Sequence, residues 1–295
     1  MKPLIYVADG KIRDINNTLF DTYIRIVDKK ERQIGEGTLW PEGEYYTPDE
    51  FEAYVNTQRP IGVRIGFDTQ EELEYLIDRL SPFVHSLYMH SKSNRAFDLT
   101  PLERCSQLES IQFDWNTKQE TLWNVKKNTK LKHLELMECY KVSDISALRG
   151  SSIEDLWLFG CNGLSSFVSK MHIKDLSVIL DMPNLRQLRL DIIKDESSEY
   201  YLKLFAKCSD LLTLSMPESF FTFQQYAWLK AHLPNVTSGL ECVTYFRDFC
   251  SIIGKRTPKN LEDQAKAQKY QKRYDTLVEK YRSREVPPAD DEKDR

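Results

Sequence analysis

The sequence predicts an α/β repeat solenoid, a stack of short parallel strands each followed by a turn and a short helical piece, all sharing one elongated core. Two observations carry this expectation. A hexad of the form apolar-x-x-apolar-x-apolar returns along the chain, and a second apolar-x-x-apolar element precedes several of its copies. A fixed period of this kind marks a unit that buries its apolar face only by stacking on its neighbours.

The hexads are "VHSLYM" (84–89), "LESIQF" (108–113), "LKHLEL" (131–136), "IEDLWL" (153–158), "LRQLRL" (185–190) and "LLTLSM" (211–216), with "PIGVRI" (60–65) as a degenerate first copy. Their central apolar residues are Val63, Leu87, Ile111, Leu134, Leu156, Leu188 and Leu214, in steps of 22 to 26 residues with one longer step after Leu156. The intervening elements "DLTPLERCSQL", "TLWNVKKNTKL", "DISALRGSSI" and "DLSVILDMPNL" read as short helical or 3₁₀ turns. The long step holds an insertion, "GLSSFVSKMHIK" (163–174), expected as a longer helix on the outer side or as a loop that touches a ligand.

On these motifs the chain resembles leucine-rich repeat proteins, and "VSDISALRGSSIEDLWL" is similar to the short-repeat type of bacterial internalins and phosphatase-regulating solenoids. The resemblance covers roughly residues 60–236. It implies a leucine-rich repeat horseshoe with its parallel β-sheet on the concave face, an N-terminal β/α cap and a C-terminal helical cap. It also implies an Asn or Cys three residues after the last leucine, bonded to backbone in the turn. Asn116, Cys139 and Cys161 fit that place, Asp68 could imitate it, and Lys92, Ile193 and Ser219 depart from it. The fold it implies serves many partners and names none.

The ends have a different make-up. Residues 1–59 read as a cap or a small separate module: Asp9-Gly10 signals a hairpin turn, "YIRIV" a strand, and Thr47 with Pro48 and Glu50 a capped helix start. Thr69 with Glu72 starts a second helix. After the repeats, 237–258 reads as two closing strands and 259–285 as a charged helix. That helix presents the stripe Leu261, Ala265, Tyr270, Tyr274, Leu277, Val278 and Tyr281, and is expected to dock as a cap or to meet a partner. The last segment, 286–295 ("VPPADDEKDR"), is expected to be a disordered tail.

Chemistry is sparse. The six cysteines form no C-x-x-C pair, and the five histidines form neither H-E-x-x-H nor H-x-H, so no metal site or cofactor is expected. Gly254-Lys255 lacks the rest of a phosphate loop, and no G-x-S-x-G elbow exists. The chain is therefore expected not to be an enzyme. No apolar run is long enough to span a membrane and no secretory signal opens the chain, which suggests a cytoplasmic protein. A net charge of −4 argues against nucleic acid as the partner.

The expected working surface is the concave face. Side chains alternate along a strand, so the residues between and beside the buried leucines form columns across the sheet. One column holds Arg64, Tyr88, Gln112, Glu135, Trp157 and Arg189; the next holds His90, Met137, Phe159 and Asp191; His133 and Asp155 stand on the other side. Aromatic residues and methionine ringed by charges have the composition of a protein-binding hot spot. These twelve residues are the candidate site for a protein partner of unknown identity. A carbohydrate or nucleotide on the aromatic strip, and a homodimer covering it, are the alternatives, and the chain is expected to be a monomer or a homodimer.

Overall fold

The computed structural model describes residues 4–13, 19–27, 43–91, 95–114, 116–160, 170–245, 249–254 and 264–292. Seven strands fall on the seven hexads: β4 (Gly62–Gly66), β5 (Ser86–His90), β6 (Ser110–Asp114), β7 (His133–Met137), β8 (Asp155–Phe159), β9 (Gln187–Asp191) and β10 (Thr213–Ser215). All are parallel. Their central residues pair in one row from Val63 through Leu87, Ile111, Leu134, Leu156 and Leu188 to Leu214, with no register shift. Every one of these seven is buried.

The elements between the strands are short. 3₁₀ turns occupy Thr100–Arg104, Val125–Lys127, Ser146–Leu148 and Leu176–Asp181, where the intervening motifs lie. Their buried residues Leu102, Val125, Leu148, Leu176 and Ile179 meet the strand leucines in a single core. Asn128 ties adjacent repeats together on this side: its amide donates to the Leu102 and Cys105 carbonyls at 2.9 and 3.0 Å and accepts from Trp123 Nε1 at 2.6 Å. Toward both ends, full helices replace the turns: α1 (Pro48–Gln58), α2 (Gln70–Leu80), α3 (Ser198–Ala206) and α4 (Phe223–His232). The capping boxes at Thr47/Glu50 and Thr69/Glu72 are present as read, and Thr222 with Gln225 forms a third.

The N-terminal residues extend the same sheet. β1 (Leu4–Arg13) and β2 (Leu19–Val27) are antiparallel, β3 (Glu44–Tyr46) pairs with β1, and β2 lies parallel beside β4. The result is an open sheet of ten strands in the order β10-β9-β8-β7-β6-β5-β4-β2-β1-β3. The expected turn at Asp9-Gly10 is not there; β1 runs through it, with a register break between Asp9 and Ile12. A bulge uses the same backbone freedom of Gly that a hairpin turn would, so local sequence does not separate the two.

The turn ladder is partial. Asn116 and Cys139 are buried, and the Cys139 sulfur accepts from the Asn116 N–H and bonds the Met137 carbonyl. Asp68 instead pairs with Arg25 at 3.0 Å, and Cys161 lies outside the described residues. Of the insertion, only its end, 170–174, is described, and there Met171 bridges Ile192 beside β9.

The C-terminal end closes in layers. Ser238 and Gly239 lie along the free edge of β10, β11 (Val243–Tyr245) and β12 (Cys250–Ile252) form a small antiparallel sheet, and α5 (Gln264–Tyr281) packs on α4. On α5 the buried positions are Ala267, Tyr274, Leu277 and Tyr281, and Tyr274 donates to the Leu240 carbonyl at 2.9 Å. Tyr274, Leu277 and Tyr281 are buried as the stripe places them and Tyr270 and Val278 pack against the core, whereas Ala265, placed in the stripe from sequence, is exposed and Ala267 is buried instead; Leu261 lies outside the described residues. The segment 286–292, expected as a disordered tail, is instead docked, with Pro287 and Pro288 buried against α4. Its composition suggested solvation, but the groove it fills supplies the hydrogen bonds that the segment cannot make itself.

Gly239 has φ +97°, and a Cβ there would stand 2.1 Å from the Leu214 carbonyl oxygen. We expect Gly239→Ala to lower the free energy of unfolding by about 2–4 kcal/mol in urea titration, because strained backbone and a backbone clash coincide on the edge strand.

Candidate functional site

Opposite the leucine core, the in-register strands set the predicted columns side by side. Arg64, Tyr88, Gln112, Glu135, Trp157 and Arg189 pair strand by strand, as do His90, Asp114, Met137, Phe159 and Asp191, and His133 faces Asp155. All twelve predicted residues thus share one face. Tyr88, Met137 and Trp157 are buried there yet lie outside the leucine core.

Two clusters organise this face. In the first, Tyr88 donates to Asp114 Oδ2 at 2.5 Å, His90 Nδ1 lies 3.6 Å from the same oxygen, and the Arg64 guanidinium sits 4.5 Å over the Tyr88 ring. Burial, reinforced by the Asp114 carboxylate, holds the Tyr88 phenol protonated well above its usual range. Burial opposes the charge on Asp114, but hydrogen bonds from His90 and Tyr88 outweigh it and lower that pKa.

The second cluster surrounds His133. Its Nδ1 lies 3.0 Å from Asp155 Oδ2 and its Nε2 3.7 Å from Glu135 Oε2. Trp157 Nε1 donates to the other Asp155 oxygen at 2.5 Å, and the Trp157 ring meets His133 and Phe159 edge-on. Arg189 caps the indole at 4.0 Å. Burial works against a charged imidazole, yet Asp155 and Glu135 push its pKa up to about 9. His133 is therefore a cation at neutral pH, neutralising two carboxylates, of which Glu135 is only 1% exposed.

Between the clusters stand Met137 and Gln112, both buried; among the described residues Gln112 Nε2 has no hydrogen-bond partner. At the far side Asp191 pairs with Lys170 at 3.4 Å. The strip is less open than its composition suggests. Trp157 is only 7% exposed, because Arg189, His133 and Phe159 enclose the indole that was expected to project outward.

Three participants were missed. Tyr23 on β2 stands in register with Arg64, whose guanidinium is 5.9 Å from its ring, and Gly66 leaves room for Tyr23 and Arg25. Lys170 and His172, which pairs with Asp195 at 2.7 Å, come from the insertion. The alternation of "YIRIV" carried the signal for Tyr23; reading residues 1–59 as a cap set it aside.

Burial pushes the thiols of Cys105, Cys139 and Cys208 up to about 12, away from nucleophilic thiolates. Among the described residues, no group of three or more His, Cys, Asp or Glu side chains is arranged to hold a metal ion, and no helix is long and apolar enough to cross a membrane. A scan against protein-family models finds no match, and a search of curated proteins finds no significantly similar sequence.

The His133 cluster has a sign that can be checked. Its folded pKa, about 9, exceeds the unfolded value of roughly 6.5, so its contribution to stability is complete below pH 6.5 and is lost as pH rises through 9. We expect unfolding free energies of the wild type to fall across that window relative to His133→Gln. Parallel pH profiles of the two proteins would contradict the pairing. Trp157→Ala should cost about 3–5 kcal/mol in the same assay, the scale for truncating an enclosed aromatic side chain.

Proposed function

We propose that the chain is a leucine-rich repeat solenoid that binds a protein partner on the sheet face opposite its leucine core, as an adaptor, inhibitor, immunity or regulatory protein without catalytic activity of its own. One observation carries the reading: six adjacent strands present aromatic and charged side chains that hold one another in place outside the core. A face whose only neighbour is water has no need of buried charges, whose desolvation costs several kcal/mol per ion before pairing. Fixed rotamers lower the entropy lost on association, and charged groups at both sides set the register of the bound surface.

The test is site-specific photo-cross-linking in cell extract, with a benzophenone side chain at Asp191 on this face and at the exposed Lys126 on the opposite side. Discrete adducts from position 191 that disappear in an Arg189→Glu background support the reading. Equal labelling from both positions, or none from 191, overturns it. Arg189→Glu should itself lower stability by no more than about 2 kcal/mol, the scale of one cation–π contact.

A further inference from the structure

The strongest unassigned feature is the groove along α3 and α4 in which residues 284–292 lie. Its receptor groups are built into the fold. Trp228 Nε1 donates to the Arg284 carbonyl at 2.8 Å, Gln225 Nε2 to the Pro288 carbonyl at 3.0 Å, and Gln224 Nε2 to the Glu292 carbonyl at 3.3 Å. Three side chains of one helix thus read main-chain carbonyls spaced four residues apart.

One carboxylate is read as well. Asp290 Oδ1 accepts from Gln225 Nε2 at 3.0 Å and from the Ser198 hydroxyl, which in turn accepts from Lys194 Nζ. Gln225, Trp228 and Ser198 are all buried. Contacts outside the segment also hold Gln225 and Trp228: the Gln225 carbonyl oxygen accepts from the Thr222 N–H at 3.0 Å as part of the α4 capping box, and Trp228 stacks on His232 at 3.9 Å.

The occupant is weakly committed by comparison. Residues 284–292, "REVPPADDE", leave Val286 exposed, carry four carboxylates and are folded back by the Arg284–Glu292 ion pair at 2.6 and 2.8 Å. Consecutive prolines restrict the backbone of such a segment before it binds, which lowers its ordering cost.

We propose that this groove is a recognition site for Pro-Pro-x-Asp peptides, occupied in the resting chain by its own segment 284–292 and open to an acidic, proline-containing segment of another protein when that segment leaves. Main-chain readout supplies affinity, buried Pro287 and Pro288 and the Asp290 clamp supply selectivity, and the Lys194 ammonium favours the acidic ligand. The tethered segment competes at an effective concentration on the order of millimolar, so it masks the groove from dilute ligands. This site stands apart from the sheet-face reading and does not depend on it.

The experiment uses the full-length chain and a fluorescein-labelled synthetic peptide of residues 284–292. In Asp290→Lys/Glu292→Lys, whose own segment is repelled from Lys194, fluorescence anisotropy should show peptide affinity at least tenfold above wild type. A peptide carrying Asp290→Asn should bind that variant at least tenfold more weakly. Equal affinity of wild type and variant for the peptide, or of the variant for both peptides, overturns the proposal. If the double variant fails to fold, the full-length Asp290→Asn chain provides the same comparison, with a smaller expected gain of about threefold to tenfold.

Discussion

The structure depends on one constraint, the absence of any register shift between the seven parallel strands from Val63 to Leu214. A slip of one residue would turn the leucines outward and the columns of Arg64, Trp157 and Arg189 into the core. Every other feature inherits from that alignment. The leucines merge into one core because they stack, and Tyr88, Asp114, Trp157 and Arg189 meet because neighbouring strands deliver them side by side at about 4.8 Å. The 3₁₀ turns matter chiefly as spacers that return each strand at the same height, and Asn128, bonded to two carbonyls of the preceding turn, locks that height in the middle of the stack.

The second face follows its own electrostatic logic. A sheet buried by leucines on one side leaves the other to solvent or to a partner, yet here Glu135 and Asp155 are drawn out of water and balanced by His133. Removing a single member of such a network leaves an uncompensated charge, whereas the complete set costs little. The same reasoning explains the enclosed Trp157. Its indole N–H bonds Asp155, one edge meets His133, and Arg189 covers its face, so the ring positions the charges that surround it. What a bound surface would meet is the Arg189, Phe159 and Asp191 fringe together with the Arg64 end, rather than a bare aromatic plate.

How much of this was legible in the sequence follows from the range of each interaction. The strand positions and the columns were readable because period 2 within a strand and a repeat near 24 residues between strands are both local regularities. The capping boxes at Thr47 and Thr69 were readable for the same reason. Asp9-Gly10 was misread because a bulge and a turn ask the same freedom of glycine, and only the distant partner β2 decides between them. The burial of Trp157 was not legible, since it depends on Arg189 reaching back over the indole across the long repeat step. Tyr274, Leu277 and Tyr281 fixed the phase of α5, but Ala265 was chosen over Ala267 because two alanines among Lys and Gln carry too little apolar signal to show which of them meets the packed surface.

The two ends show why composition fails where structure is held by main-chain contacts. At the N-terminal end, β2 continues the parallel order and β1 and β3 close it antiparallel, so the first repeat is covered by more sheet. At the C-terminal end the sheet stops at β10, with Gly239 against its edge, and helices take over. Residues 284–292 lie on the outermost of these layers. Nothing in "VPPADDE" marks it as ordered, because its partners Trp228, Gln225 and Gln224 recognise carbonyl groups that every sequence possesses. The information resides in the receptor instead: a glutamine at the third position of a helix, with one side of its amide committed to capping and the other directed outward. A capping box that uses Gln rather than Glu retains two N–H donors, and in α4 those donors hold Pro288 and Asp290.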